Sequence, residues 1–507
     1  MSELLALLVA VPILAAVLVL ALGYRFDRLG WPLAVLASLV QVGMAGSVAA
    51  QVYGGGRAVT YALGGFRPPF GIELVADGLS AAVALLIAVV SLGVLAYARR
   101  AGPRSPTFCA QYLLLVAGLS GMSVTGDVFN LYVFLEITGL AAYALVATGR
   151  SGRAAVGALK YLIIGTVGAS LYLLGIGYAF VATGTLNMAD LSTRLAEVGY
   201  DATLVQASFA LIAVGLAVKT ALYPLHTWQP EAYASAPDSV SAFISALVST
   251  VSAYALARLT FSVFTVDFLA AVPAAQAGLL TIAGVSIVAG SVLAVMQSEV
   301  KRMLAYSSVS QFGLVVAGFA VANEVAFVGA TIHLVGHGLM KGGLFLAAGA
   351  IAVATGARTV EEYDGLAARR PVLAGAFAVL ALSLVGVPPA VGFVGKWYIA
   401  LGAVEAEAWP IAVVILLSTL LTLAYFVRLV ERMYFRHAGA ETEVGAAAGP
   451  AVTDGGDGEP RDRGPDEPSA GMIAVVVVVA VLAVALGGAA SLFGSLMQPT
   501  LDTLLQL

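Results

Sequence analysis

The sequence predicts an all-α polytopic membrane protein, and three observations carry that prediction. Of its 507 residues, 60% are hydrophobic and only 11% are charged, against about 25% charged in an ordinary soluble domain. Apolar runs of about twenty residues, the length that crosses a hydrocarbon core, recur from one end of the chain to the other. The cations outside those runs fall almost entirely in alternate connections, the mark of a chain threaded repeatedly through a bilayer.

Fourteen runs qualify, at 3–23, 29–51, 76–99, 107–125, 127–148, 159–182, 206–228, 238–263, 274–296, 303–322, 325–353, 372–402, 409–431 and 471–493. They do not alternate polar with apolar and are too long for barrel strands, so each is a helix. The first follows Met1, Ser2 and Glu3 with no basic stretch and exceeds a signal peptide's apolar core, so it is expected to be retained. Connections after odd-numbered runs hold sixteen Lys and Arg residues. Those after even-numbered runs hold Arg57, Arg67 and Arg194, with Arg258 near the end of the eighth run. Loops after odd spans are therefore expected in the cytoplasm, with both termini outside the cell membrane. The segment Glu441–Pro468, rich in Gly, Pro, Asp and Glu, is expected to be a disordered cytoplasmic loop.

Composition also narrows the chemistry. A single cysteine, Cys109, forms no internal disulfide, cluster site or Cys-rich zinc site, and no glycine-rich phosphate loop is present. No cofactor is expected, so any driving force comes from an ion gradient or a partner.

Four of the five lysines, Lys160, Lys219, Lys341 and Lys396, lie inside the runs, whereas the loop cations are nearly all arginine. A charge at the bilayer centre costs about 2.5–3.5 kcal/mol on insertion scales and marks ion or proton pathways. Lysine can also give up its proton when desolvated, which arginine does not. The one acid placed deep in a run is Glu136, in "GDVFNLYVFLEITGLAAYALVA". Static ion pairs or snorkelling side chains explain one such lysine better than four.

The eleventh run spaces His333, His337 and Lys341 four apart, along one helix stripe. Two histidines so spaced also suit zinc, but "HLVGH" lacks the metalloprotease glutamate and a third ligand. Static packing is the bland alternative, and a proton relay suits groups that titrate near neutrality. In "LAVKTALYPLHTWQP", Pro224 follows Lys219 and precedes His226; in "LSLVGVPPAVGFVGKWYIALG", Pro388 and Pro389 precede Lys396. Each proline site is expected to break its helix and free backbone groups that tolerate burial only beside a polar cavity. The stretch "GALKYLIIGTVGASLYLLGIG" from Gly157 matches "GATIHLVGHGLMKGGLFLAAG" at an offset of 172, close to the 177 separating Lys219 from Lys396. That agreement points to an internal repeat.

In order along the chain, "GDVFNLYVFLEI", "KTALYPLHTWQPEAYASAP", "SVSAFISAL", "QSEVKRMLAYSSVSQFG", "HLVGHGLMKGGLF" and "GVPPAVGFVGKW" resemble the antiporter-like family. Mrp multisubunit sodium/proton antiporters, the proton-pumping membrane subunits of complex I and membrane-bound hydrogenases share it. The resemblance covers roughly residues 75–435 and lies nearest the D subunit of the Mrp branch. It implies two inverted five-helix repeats, each with a broken helix. The divisions expected are 1–106, first half 107–263, second half 274–432, the acidic loop 437–470, and a last helix 471–507. It implies a pair, Glu136 and Lys219, a relay through His333, His337 and Lys341, and a terminal lysine, Lys396. Lys160, His226, Ser249 and Thr250 are secondary polar candidates.

Two positions depart from the family. Tyr233 stands where it has a histidine after "PLHTWQPEA", and Thr250 stands where the eighth span carries a lysine four residues before Tyr254. What the resemblance implies is a proton-translocating subunit, not itself an enzyme, exchanging sodium for protons with partner subunits. The rivals are the same module on a redox machine and a scaffold that has lost transport, which Thr250 favours. No carboxylate cluster inside the spans marks a sodium site.

Overall fold

The computed structural model describes residues 2–149, 151–437 and 467–506. The expected acidic loop, 437–470, lies outside them apart from residues 437 and 467–470.

The chain opens with α1 (Leu4–Gly23) and α2 (Gly30–Gly55). An antiparallel hairpin, β1 (Val59–Ala62) and β2 (Glu73–Ala76), then leads into α3 (Gly78–Ala101), α4 (Pro106–Val124), α5 (Val128–Ala147) and α6 (Gly152–Thr183). A short amphipathic helix, α7 (Met188–Val198), precedes α8 (Thr203–Thr220), α9 (Gln229–Ser235) and α10 (Asp238–Leu259). After a π turn at Thr260–Phe264 come α11 (Thr265–Ala271), α12 (Pro273–Val295), α13 (Val300–Ala320), α14 (Glu324–Thr355) and α15 (Leu366–Arg369). The rest are α16 (Pro371–Val385), α17 (Val391–Glu405), α18 (Trp409–Phe435), α19 (Ala470–Gly488) and α20 (Ala490–Leu504).

Among the described residues thirteen helices are long and apolar enough to span a membrane. The twelfth expected span, 372–402, is divided between α16 and α17. Short polar side chains set many starts: Asp77, Ser105, Asp127, Ser151 and Asn323 each accept a backbone N–H from the first turn of the helix that follows. Ser151 begins α6 seven residues before the predicted start at 159, because the cap and not the apolar run fixes the first turn.

The expected seventh run, 206–228, is helical only to Thr220. Ala221 turns left-handed at φ 66°, and Leu222 N–H closes the helix on the Ala217 carbonyl. Residues 221–228 cross without helix before α9 begins. In the second break Gly386 is left-handed at φ 99°, and Val387 N–H closes α16 on Leu382.

Helix α10 is the axis of the molecule: every residue from Ser239 to Leu259 is buried. It packs on α3, α8, α13 and α14. Helices α1 and α19 present mostly exposed apolar faces, as lipid-facing helices do.

At the arginine-rich end, Glu231 on α9 bonds Arg153 at 2.6 Å and Arg302 at 3.5 Å, and Arg153 also reaches Glu299 at 2.9 Å. Lys301, the lysine outside the predicted runs, is buried in α13. It donates to Asp238 at 2.9 Å and to the Ala236 carbonyl at 2.7 Å.

Candidate functional site: lysines at two broken helices

Lys219 stands in the last turn of α8, and its Nζ lies 3.5 Å from Glu136 Oε1 and 3.2 Å from the Tyr143 hydroxyl. Glu136 and Tyr143 are seven residues apart on α5, two turns along one face. Between them Gly139 leaves the room the cluster needs, since a Cβ there would stand 3.2 Å from Lys219 Nζ. From α6, Gly165 does the same for the tyrosine: a Cβ there would overlap the Tyr143 hydroxyl. The lysine is buried, whereas the Glu136 side chain is 25% exposed, so the carboxylate faces the edge of the subunit.

Backbone groups freed by the break find partners. Trp228 Nε1 donates to the Val218 carbonyl at 2.9 Å, and Ser286 Oγ accepts from Tyr223 N–H at 3.1 Å. The Trp228 ring stacks on Tyr161 at 4.0 Å, and Tyr161 meets Tyr143 edge-on at 4.5 Å. His226 is buried in the crossing segment, between the rings of Tyr223 and Tyr306. Lys160 is not drawn in; it is exposed on α6 beside Leu159 and Ile163.

Next comes a knot of neutral polar groups. Gln229 Nε2 donates to Tyr233 OH and to Ser249 Oγ, each at 3.2 Å, and those two oxygens are themselves 3.2 Å apart. Tyr233 thus couples α9 to α10. Thr250 Oγ1 is fully buried with no hydrogen-bond partner among the described residues. Such an atom is costly to leave alone and marks a place to ask for a function.

The second cluster rides on α14. His333 Nε2 pairs with Gln311 Oε1 at 2.8 Å. His337 meets the Phe312 ring edge-on at 4.6 Å, with neither ring nitrogen hydrogen-bonded among the described residues. The two imidazole centroids are 6.5 Å apart. Lys341 Nζ donates to the Leu304 carbonyl at 2.8 Å and Ser307 Oγ at 2.7 Å, and Ser307 also accepts from Tyr425 OH at 2.9 Å. Lys396 Nζ donates to the Val385 carbonyl at 3.0 Å. Among the described residues no group of three or more His, Cys, Asp or Glu is arranged to hold a metal ion.

The sequence reading named the ionisable members of both clusters and missed their neutral partners: Tyr143, Gln229, Gln311, Ser307 and Tyr425. One signal was available for Tyr143, its seven-residue spacing from Glu136. The others come from separate helices and carry no local pattern.

The arrangement has relatives in several machines. The chain is 44% identical to the N subunit of the NADH-quinone oxidoreductase of Desulforudis audaxviator, over 85% of this chain and 86% of that one. It is 32% identical to the D subunit of the Na(+)/H(+) antiporter of Bacillus subtilis, again over 85% and 86%. Among solved structures, a chain of the membrane-bound sulfane sulfur reductase, an archaeal respiratory membrane complex, superposes with a TM-score of 0.88 at 31% identity. That match covers 99% of this chain and 98% of the other. The model of the NADH:quinone oxidoreductase/Mrp antiporter transmembrane family matches residues 125–422, which hold Glu136, both broken helices and all five lysines of the chain, and to that family this chain belongs.

Proposed function

We propose that the chain moves protons through the cell membrane as one subunit of a hetero-oligomeric antiporter that exchanges sodium for protons. The observation that carries this reading is the seat of Lys219, held between a carboxylate and a phenol at the cut end of a helix. A buried amine with one charged and one neutral partner can stay with the carboxylate or turn toward the phenol. Separating it from Glu136 leaves two uncompensated charges, and a proton leaving the amine relieves that cost. The 32% identity to a sodium/proton antiporter subunit supports the choice of machine.

In this reading the proton passes from Lys219 through the hydroxyls around Gln229, Tyr233 and Ser249. It continues along the α14 stripe of His333, His337 and Lys341 to Lys396, which joins the first half of the chain to the second. Loops after odd spans face the cytoplasm, and Lys301 and the Glu231 network are static fastenings of that end.

A second reading, a proton-moving subunit of a redox complex, is favoured by the 44% identity to a quinone oxidoreductase subunit. The intact complex, purified from its own membrane and placed in vesicles, separates the two. Proton movement driven by a sodium gradient supports the antiporter. Movement that needs a quinone or another electron acceptor supports the redox complex, and movement in neither case leaves a scaffold.

A further inference from the structure

A cavity of about 490 Å³ opens at the end of the bundle that carries the β-hairpin. The hairpin packs on the first turns of α1, and the C-terminal helix α20 closes the cavity's far wall, so this is the end where both termini lie. Glu73 and Asp77 line it from β2 and the start of α3, Arg57 and Asn187 from the neighbouring loops, Arg258 from α10 and Thr503 from α20.

The floor of this cavity is an ion pair absent from the site described above. Arg258 grips Asp77 with two bonds, Nη1 to Oδ2 at 2.7 Å and Nη2 to Oδ1 at 2.6 Å. Both side chains are nearly buried. Arg258 also donates to Ser80 Oγ at 2.9 Å and, through Nε, to Tyr254 OH at 3.2 Å. Tyr254 OH lies 3.0 Å from Ser80 Oγ and donates to the Ser123 carbonyl at 2.7 Å. Tyr254 is one helical turn beyond Thr250, whose hydroxyl is buried and unpartnered among the described residues. Polar groups therefore run from the middle of the axial helix to the cavity floor. Immediately past Arg258 the helix loosens into a π turn whose Phe261 and Ser262 face the cavity, and π turns collect at functional sites.

We propose that this cavity is the aqueous mouth of the proton path at the terminus-bearing end, and that the Asp77–Arg258 pair is its gate. The proposal rests on the proton-translocation reading above. A guanidinium keeps its proton, so Arg258 is the movable counterion and Asp77 the proton acceptor. With the pair closed, Asp77 is an anion capping α3 through Ser80 N–H at 2.9 Å. When Arg258 swings toward the cavity, Ser80 Oγ hands a proton to the Asp77 carboxylate and receives one from Tyr254 OH, and Tyr254 is refilled by the proton that arrives along the path from the Thr250 side. Asp77 releases its proton to cavity water as Arg258 returns. Only O–H bonds break and form: one proton enters at Tyr254, one leaves from Asp77, and each hydroxyl ends with the proton count it began with. The charged and titratable groups around Asp77 are Arg258 and Tyr254 of α10, Tyr53 of α2, Glu73 of β2 and Arg57.

Complete complexes in vesicles test this. The one native cysteine is buried, so Thr503→Cys supplies the only accessible thiol of this chain. It should react with a membrane-impermeant thiol reagent added on the terminus-bearing side, and labelling should slow exchange severalfold. No labelling from that side, or labelling without effect, overturns the mouth. Asp77→Asn should slow exchange about a hundredfold, the scale of a lost acid–base group. Asp77→Glu should retain exchange with a displaced pH profile. Asp77→Leu combined with Arg258→Met replaces the pair by apolar side chains of similar size. A purely structural latch tolerates that swap, so recovery of exchange in the double variant overturns the gate, and continued loss in an assembled complex supports it. Lys219→Ala serves as the control. A dead Lys219→Ala beside a wild-type Asp77→Asn rejects the gate alone, whereas a wild-type Lys219→Ala rejects the proton-switch reading itself.

Discussion

Lys396 on α17 donates to the carbonyl of Val385, the last residue of α16, so the lysine of one half of a broken helix caps the cut end of the other. Residues 386–390 contribute no helical N–H to Val385, and the ammonium takes that place. Positioning an ionisable group and terminating a helix are here one interaction. A proton leaving Lys396 must loosen the cap, so titration and the geometry of the break are linked.

Replacing Lys396 with methionine keeps the length of the side chain and removes the donor. The expected result is an assembled complex with exchange lowered about a hundredfold. An unpaired buried carbonyl costs about 1–3 kcal/mol, so the thermal midpoint should also fall. Vesicle exchange and a melting curve on the same preparation check both.

Lys219→Ala should abolish exchange while the complex assembles, because the lysine fills a polar seat and not a packing seam. Lys219→Arg should fail as well, since a guanidinium stays protonated through the cycle. Tyr143→Phe takes away the neutral partner of Lys219, leaves it facing Glu136, and should displace the pH profile of exchange. Gly165→Ala, whose Cβ would overlap the Tyr143 hydroxyl, should act in the same direction. Wild-type profiles in the two Tyr143-directed variants would remove the tyrosine from the switch.

How far these positions could be read in advance differs from one to the next. Lys219 and Lys396 stood out because a charge in an apolar run beside proline has few inexpensive explanations. The spans were legible for the same reason, as apolar length is a local property. Tyr143 was not legible, since its value lies in a 3.2 Å approach from another helix that Gly139 and Gly165 make possible. Lys301 looked like a loop cation and is instead a buried tie to Asp238, because α13 starts at Val300 and not at 303. Helix α7 escaped because it is amphipathic and too short to span.

Thr250→Lys should alter the pH optimum of exchange, because a titrating amine then joins a stretch that holds only hydroxyls. A side chain this long must enter a fully buried site, so assembly is measured first. An assembled variant with an unchanged profile would mean that the path bypasses this position.

Glu362 offers a check on the fold outside the spans. Backbone N–H groups of Arg358 and Thr359, at 2.6 and 2.9 Å, hold its carboxyl below the usual range. A depressed folded value means the stabilisation is complete above the unfolded pKa, about 4.3. It is lost as pH falls through the lower folded value. Glu362→Gln should therefore lower the melting point slightly at pH 7, and the difference from wild type should shrink as the pH is taken below that of a free glutamate. A difference constant with pH would mean the carboxylate's charge is not what binds those two amides.

Thr500 Oγ1 accepts the first N–H of α3, at Gly78, 2.9 Å away and 422 residues earlier in the chain. During synthesis, α3 leaves the ribosome and enters the bilayer long before its cap exists. The wall of the 490 Å³ cavity that α20 supplies likewise arrives long after α3. Until α20 has been made, a half-made subunit has its lysines and broken helices in place but lacks a finished entrance at that end. A nascent chain built this way completes its doorway after its machinery.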